Sequence, residues 1–222
     1  MYPTYSKKRH SLKDNILFIK AFLKSPAHVG AIFPSSRALA DAMTSFEELA
    51  KTKTILELGC GTGAITEAIL EKISPSATYI GIELNKNCVE HLSKRFPNNN
   101  FHHGSAERIQ EYLQQYHLEN AEAIISGLPW AVLPEEMQNK IFDAILHNLS
   151  ADGIFVTFAY SHAKYMPRAR RLKHRLEKYF DKVKTSPTIW KNVPPAFFYE
   201  CRYPKQSLIK CYKQTKNETD LE

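Results

Sequence analysis

The 222 residues, 43% hydrophobic and 24% charged, fit one globular domain and exclude a disordered, collagen-like or coiled-coil chain. No apolar run reaches the roughly 18–20 residues of a membrane-spanning helix, and the basic N-terminus lacks the apolar region and cleavage site of a secretory signal. The net charge of +7 is uneven: residues 1–24 carry +5, 164–184 carry +7 and 202–216 carry +5, around an acidic stretch 25–163 at −7, so an anionic partner is expected, either nucleic acid or a membrane surface.

Residues 11–24 predict an amphipathic helix. Leu12, Ile16, Phe18, Ile19, Phe22 and Leu23 share one face, and Lys13, Lys20 and Lys24 line its edge. Pro26 ends it, and a break at Phe33–Ser36 precedes a second helix from about Arg37. From Lys53 onward strands and helices alternate: KTILELG, then AITEAILEKI; TYIGIEL, then NKNCVEHLSKRF; NFHHG, then AERIQEYLQQY; AEAIISGLP, then PEEMQNKIFDAILHNL; GIFVTFAY, then the basic helix HAKYMPRARRLKHRLEKYF. Two last strands, KVKTSPTIW and PAFFYECRY, follow with no helix between them and predict a closing antiparallel hairpin. The fold class is α/β, a seven-stranded and mostly parallel sheet with helices on both faces. Cys60, Cys88, Cys201 and Cys211 form no CxxC pair and the histidines no HxxxH pair, so free thiols, a reducing compartment and no metal site are expected.

The sharpest motif is Glu57-Leu58-Gly59-Cys60-Gly61-Thr62-Gly63, between the first strong strand and a helix. Glycines there let the backbone turn tightly beside a ligand, and the helix N-terminus offers N–H groups. A dinucleotide site uses a similar turn. Here a carboxylate precedes the glycines, which suits the ammonium of an amino-acid ligand better than a pyrophosphate. Glu83 ends the next strand about 20 residues on, where it can take both ribose hydroxyls. Over about residues 30–203 the chain resembles the class I S-adenosylmethionine-dependent methyltransferases, a Rossmann-like fold. That resemblance implies that Gly59, Gly61 and Gly63, with Cys60 and Thr62 between them, wrap the methionine portion. It implies further that Glu57 supports the loop, Glu83 grips the ribose and Leu84 packs on the adenine. Gly104-Ser105-Ala106-Glu107 stands where the family often has Gly-Asp-Ala, so either Ser105 or Glu107 is expected at the adenine amine.

The fourth strand ends in Ser126-Gly127-Leu128-Pro129-Trp130, where amino-methylating members carry an Asn-Pro-Pro-Tyr type loop. Rigid carbonyls in such a loop can aim an amine, and an aromatic ring can cover its developing charge. His28–Ser36, this loop and Asn192–Phe197 together resemble the bacterial phospholipid N-methyltransferases, peripheral membrane enzymes that convert phosphatidylethanolamine stepwise to phosphatidylcholine. The same places are similar, more loosely, to the ribosomal RNA adenine dimethylases, but this chain lacks their loop asparagine. The expectation is a methyltransferase domain at 37–213, preceded by a membrane-contacting segment at 1–36 and followed by a flexible tail at 214–222. It would act on phosphatidylethanolamine at the inner face of the cell membrane, with Trp130 and Tyr160 on the amine and Lys164 or Arg168 on the lipid phosphate. An RNA adenine-N6 methyltransferase and a non-catalytic lipid- or nucleic-acid-binding relative are the alternatives.

Overall fold

The computed structural model describes residues 35–161 and 167–205; the predicted helix at 11–24, most of the His28–Ser36 motif, Lys164, the Arg168 side chain and the C-terminal tail lie outside them. Seven strands form one sheet: β1 (Thr54–Leu58), β2 (Thr78–Glu83), β3 (Asn100–His103), β4 (Ala121–Ser126), β5 (Leu149–Tyr160), β6 (Phe180–Thr185) and β7 (Ala196–Pro204). Their order across the sheet is β3-β2-β1-β4-β5-β7-β6. Strands β1 to β5 pair in parallel, whereas β7 runs antiparallel to both β5 and β6, as the helix-free ending predicts. The chain therefore winds outward from β1 to β3 and returns to the other side of β1 with β4. The gap between the C-terminal ends of β1 and β4 is a topological switch point, where α/β sheets bind ligands.

The helices are α1 (Arg37–Met43), α2 (Ala64–Leu70), α3 (Lys86–Arg95), α4 (Ile109–Gln115), α5 (Glu135–Asn148) and α6 (Pro167–Tyr179). β1 is buried at every position because helices cover both of its faces, and a strand in that setting is a continuous apolar run. Side-chain alternation divides the interior into two cores. Leu56, Leu58 and Ile124 join residues of α4, α5 and α6 on one side. Ile55, Ala123 and Ile125 join residues of α1 and α2 on the other.

Several boundaries differ from the sequence reading, and β6 runs Phe180–Thr185, short of the predicted end at Trp190. The predicted helix at 106–116 divides into a 3-10 turn, Ala106–Arg108, capped by Ser105, and α4. α2 stops at Leu70, short of the predicted Ile73. β5 begins at Leu149 rather than Gly153, with an irregularity in its pairing to β4 near Ala121. α1 starts where Ser36 predicts, since the Leu39 N–H donates to Ser36 Oγ at 3.2 Å.

The first core centres on Phe155, fully buried on β5, with Phe180 stacked at 5.8 Å and Trp130 and Phe142 edge-on at 6.4 and 6.2 Å. Phe155→Ala empties a site ringed by other aromatics that cannot all collapse inward. It should lower unfolding free energy by about 3–5 kcal/mol in urea titration. A loss below 1 kcal/mol would show that the cluster repacks freely.

Candidate active site

The turns after β1 and β4 meet at the switch point. Gly59, Gly61 and Gly63 all have left-handed backbones, with φ of 77°, 53° and 92°. A Cβ on Gly61 would meet nothing within 4 Å, so this glycine is demanded by its backbone and faces open space. Gly127 is constrained by contact instead: a Cβ there would lie 2.6 Å from the Gly59 carbonyl oxygen. The Gly127 N–H donates to Leu58 O at 2.8 Å, and the Gly59 N–H donates to Ile82 O at 2.8 Å, so the ends of β2, β1 and β4 are tied together.

Glu83 closes β2 with its carboxylate turned to the same loop. Its Oε2 accepts the Gly61 N–H and its Oε1 accepts the Asn85 N–H, both at 2.8 Å. Each oxygen keeps a lone pair for a hydroxyl donor, and the two amides fix its orientation.

Glu57 requires a correction. It does not face a ligand's ammonium but is 0% exposed beneath the loop. Its Oε2 accepts bonds from Thr66 Oγ1 at 2.7 Å and from the Tyr79 hydroxyl, while Oε1 has no partner. The physical reason is the partners it meets: both faces of β1 are covered, and Glu57 falls with Ile55 on the α1–α2 face, where Thr66 and Tyr79 bind its carboxyl. Burial pushes its pKa up to about 7, opposed by the Tyr79 and Thr66 hydrogen bonds. Glu57 therefore joins β1, β2 and α2 from below. Cys60 also turns inward, its Sγ 3.7 Å from the Tyr79 hydroxyl, and burial raises its pKa, so it is packed and not nucleophilic.

The β4 loop is braced internally. Thr157 Oγ1 donates to Ser126 O at 3.3 Å, and the Leu128 N–H donates to Ser126 Oγ at 3.3 Å. The carbonyls of Leu128 and Pro129 accept the N–H groups of Trp130 and Val132, each at 3.0 Å. Trp130 is the second correction. It is 3% exposed, stacks on Phe142 at 4.4 Å and donates through Nε1 to Thr157 Oγ1 at 2.8 Å. The indole has more apolar surface to bury in the core than any small acceptor could cover, and Thr157 satisfies its only donor.

One cavity gathers most of the predicted site: Gly59, Gly61, Glu83, Leu84, Ser105, Ala106, Gly127, Leu128 and Pro129 all line it. Ser105 Oγ accepts the Glu107 N–H at 3.2 Å as a helix cap. Glu107 is half-buried outside the lining, so Ser105 is the better placed of the pair. Thr62 is exposed outside that lining, and Gly63 packs against Leu92 of α3. Tyr160 ends β5, edge-on to Phe158 at 5.5 Å, and burial raises its pKa. Residues that sequence reasoning missed complete the wall: Ile82, Gly104, Leu133, Met137 and Ile141. Met137 and Ile141 stand four apart on α5, a spacing that marked a buried face without saying what it faced.

Residues 55–153 match a family described as methyltransferase domain. The chain is 31% identical over 199 residues to an ornithine lipid N-methyltransferase of Singulisphaera acidiphila, covering 88% of this chain and 100% of that one. The chain belongs to the class I S-adenosylmethionine-dependent methyltransferases. It is also 30% identical over 105 residues to a ribosomal RNA small subunit methyltransferase A of Mesomycoplasma hyopneumoniae, but that match spans 47% of this chain and 38% of the other. The fold is similar to that of the O-methyltransferase TomG from Streptomyces achromogenes, a structure in complex with S-adenosylmethionine, with a TM-score of 0.59 at 16% identity over 84% of this chain and 89% of that one.

The methyltransferase's cavity fits its cofactor. Glu83 presents two outward acceptors for a ribose diol, and Leu84, Met137 and Ile141 give apolar walls for a purine. The open side of Gly61 leaves room for the amino-acid end. When bound, S-adenosylmethionine supplies an electrophilic methyl group on a sulfonium.

Two predictions follow from these carboxylates. Glu83→Ala should weaken S-adenosylmethionine binding by about 1.5–3 kcal/mol in calorimetry, the scale of charge-assisted hydrogen bonds. Unchanged affinity would remove Glu83 from the ribose. For Glu57, the folded chain holds a proton between the ordinary carboxyl value of 4.5 and about 7. Its contribution to stability is full below that range and falls as pH rises through it, by roughly 3 kcal/mol in all. Glu57→Gln should flatten this decline in urea midpoints measured from pH 5 to pH 8 on the cofactor-free protein. Parallel curves for variant and wild type would mean that Glu57 is ionised throughout.

Proposed function

We propose that this methyltransferase transfers methyl groups to the primary amine of a lipid head group, with phosphatidylethanolamine and ornithine lipid as the two acceptors to test. The observation that carries the reading is the match along the whole length of an ornithine lipid N-methyltransferase, against 38% of the ribosomal RNA enzyme. The geometry at Gly127 supports it. The adenine dimethylases that the loop resembles have asparagine there, and here any Cβ would press on the Gly59 carbonyl.

A primary ammonium has a pKa near 10, so it must lose a proton before attacking. The Leu128 and Pro129 carbonyls already accept N–H groups, so this reading gives the aiming of the amine to the Gly127 carbonyl. Proline holds the turn in one conformation, which aims the nitrogen. Tyr160, which ends β5 outside the cavity lining, is the aromatic residue this reading keeps for the developing cation, since Trp130 is buried. No described helix is long and apolar enough to cross a membrane. This reading brings the enzyme to the lipid by surface adsorption, through the predicted N-terminal helix with its lysine edge.

Labelled S-adenosylmethionine should deliver methyl groups to vesicles containing either aminolipid and none to phosphatidylcholine vesicles or RNA. Label in RNA alone would defeat the lipid reading. Pro129→Ala should depress turnover by about tenfold or more while cofactor affinity holds, because aiming contacts matter in the transition state. Equal loss of cofactor binding would make the loop a structural support only.

A further inference from the structure

A second cavity, of about 580 Å³, opens between α5 and α6 beside the 130–134 connection. Leu133 lines both it and the cofactor cavity, so the two adjoin. Its α6 wall carries Arg171, His174, Arg175 and Lys178, whose i, i+3, i+4, i+7 spacing sets all four on one helical face. Among the lining residues they meet one carboxylate, Glu135, whose Oε1 lies 3.5 Å from Arg175 Nη2. Three permanent cations against one anion leave the cleft with uncompensated positive charge.

The cationic wall is joined to the acceptor loop. Arg175 Nη1 donates to Gln138 Oε1 at 3.1 Å, and its guanidinium lies over the Phe142 ring at 5.7 Å. Gln138 Nε2 in turn donates to the carbonyls of Trp130 and Leu133, at 2.9 and 2.8 Å. One hydrogen-bonded unit therefore links the cations to the exit of the loop that aims the amine. Val132, Leu133 and Leu172 add an apolar side to the same cleft.

We propose that this cleft binds the anionic oxygens of the lipid head group, a phosphate or a carboxylate, and so selects which amines reach the Ser126–Pro129 loop; the inference rests on the lipid reading above. Guanidinium forks suit planar or tetrahedral oxyanions, and the apolar side suits the carbons that follow them in an amphiphile. The sequence pointed to Lys164 or Arg168 for this contact, and these side chains lie outside the described residues; the described cleft lining begins three residues beyond Arg168, at Arg171.

Calorimetry on the full chain tests the cleft with hexyl phosphate and hexanoate as probes, and with inorganic phosphate and hexanol as comparisons. One of the two anionic amphiphiles should bind, hexanol should not, and inorganic phosphate should bind at least about tenfold more weakly. Arg171→Ala with Lys178→Ala, both exposed positions, should abolish that binding. The same double variant should raise KM for a dispersed short-chain aminolipid by about tenfold, with kcat and S-adenosylmethionine affinity held. Lys173→Ala, on α6 but outside the cleft lining, should change neither. Full probe binding by the double variant would overturn the proposal, and so would an equal effect of Lys173→Ala, which would reduce it to diffuse helix charge. Inorganic phosphate binding as tightly as hexyl phosphate would assign the cleft to a free anion and not to a lipid. Probe binding that the double variant loses, in a wild type that methylates no aminolipid, would uphold the oxyanion site while removing the proposed acceptor.

Discussion

The contact of two strand-end turns across the β1–β4 gap is the constraint on which the site depends. Parallel pairing holds the ends of β2, β1 and β4 at neighbouring spacings, and the bonds from Gly127 to Leu58 and from Gly59 to Ile82 carry that order past the strands. Because Gly127 has no side chain, its backbone comes close enough to Gly59 for the two turns to form one surface. The turns after β1 and β4 cannot shift independently. A displacement of either one would press backbone on backbone, the least compliant contact in a folded chain.

Polar groups inside the apolar core hold this arrangement from beneath. Glu57 binds hydroxyls of α2 and β2, and Thr157 links the Trp130 indole to the Ser126 carbonyl. Each bond forms in a low-dielectric setting, where a satisfied pair is strong and an orphaned group is costly. The pKa of Glu57 is raised for that reason, because burial of the carboxyl outweighs the hydroxyls that bind it. Rigidity under the glycine loop is thus obtained at some expense in stability, a common pattern beside functional sites.

The α6 helix illustrates how one element serves two environments. Leu172 and Leu176 are buried in the first core, and Arg171, His174, Arg175 and Lys178 occupy a neighbouring face of the same turns. The guanidinium of Arg175 lies over the Phe142 ring at the edge of the core, and the same residue lines the cleft. The basic character of residues 164–184 is therefore partly a lining and not only a solvated face.

Composition, alternation and glycine placement determined the sheet, its seven strands, the closing hairpin and the cofactor turn, because each rests on local periodicity or on a backbone conformation that few residues adopt. Glu83 was legible for the same reason, as a carboxylate at a strand end one βα unit after the glycines. The direction of Trp130 and of Glu57 was not, since both stand in a motif whose local pattern allows either face. Only packing against Phe142, and hydrogen bonds to Thr157, Thr66 and Tyr79, decided that both point inward. Nor could local pattern join Ser36 to Asn192, 156 positions apart, which the structure bonds at 2.8 Å through the Ser36 N–H. It could not set Arg175 beside Glu135 either. Such pairings follow from where the sheet order carries each helix, and that order is a property of the whole chain.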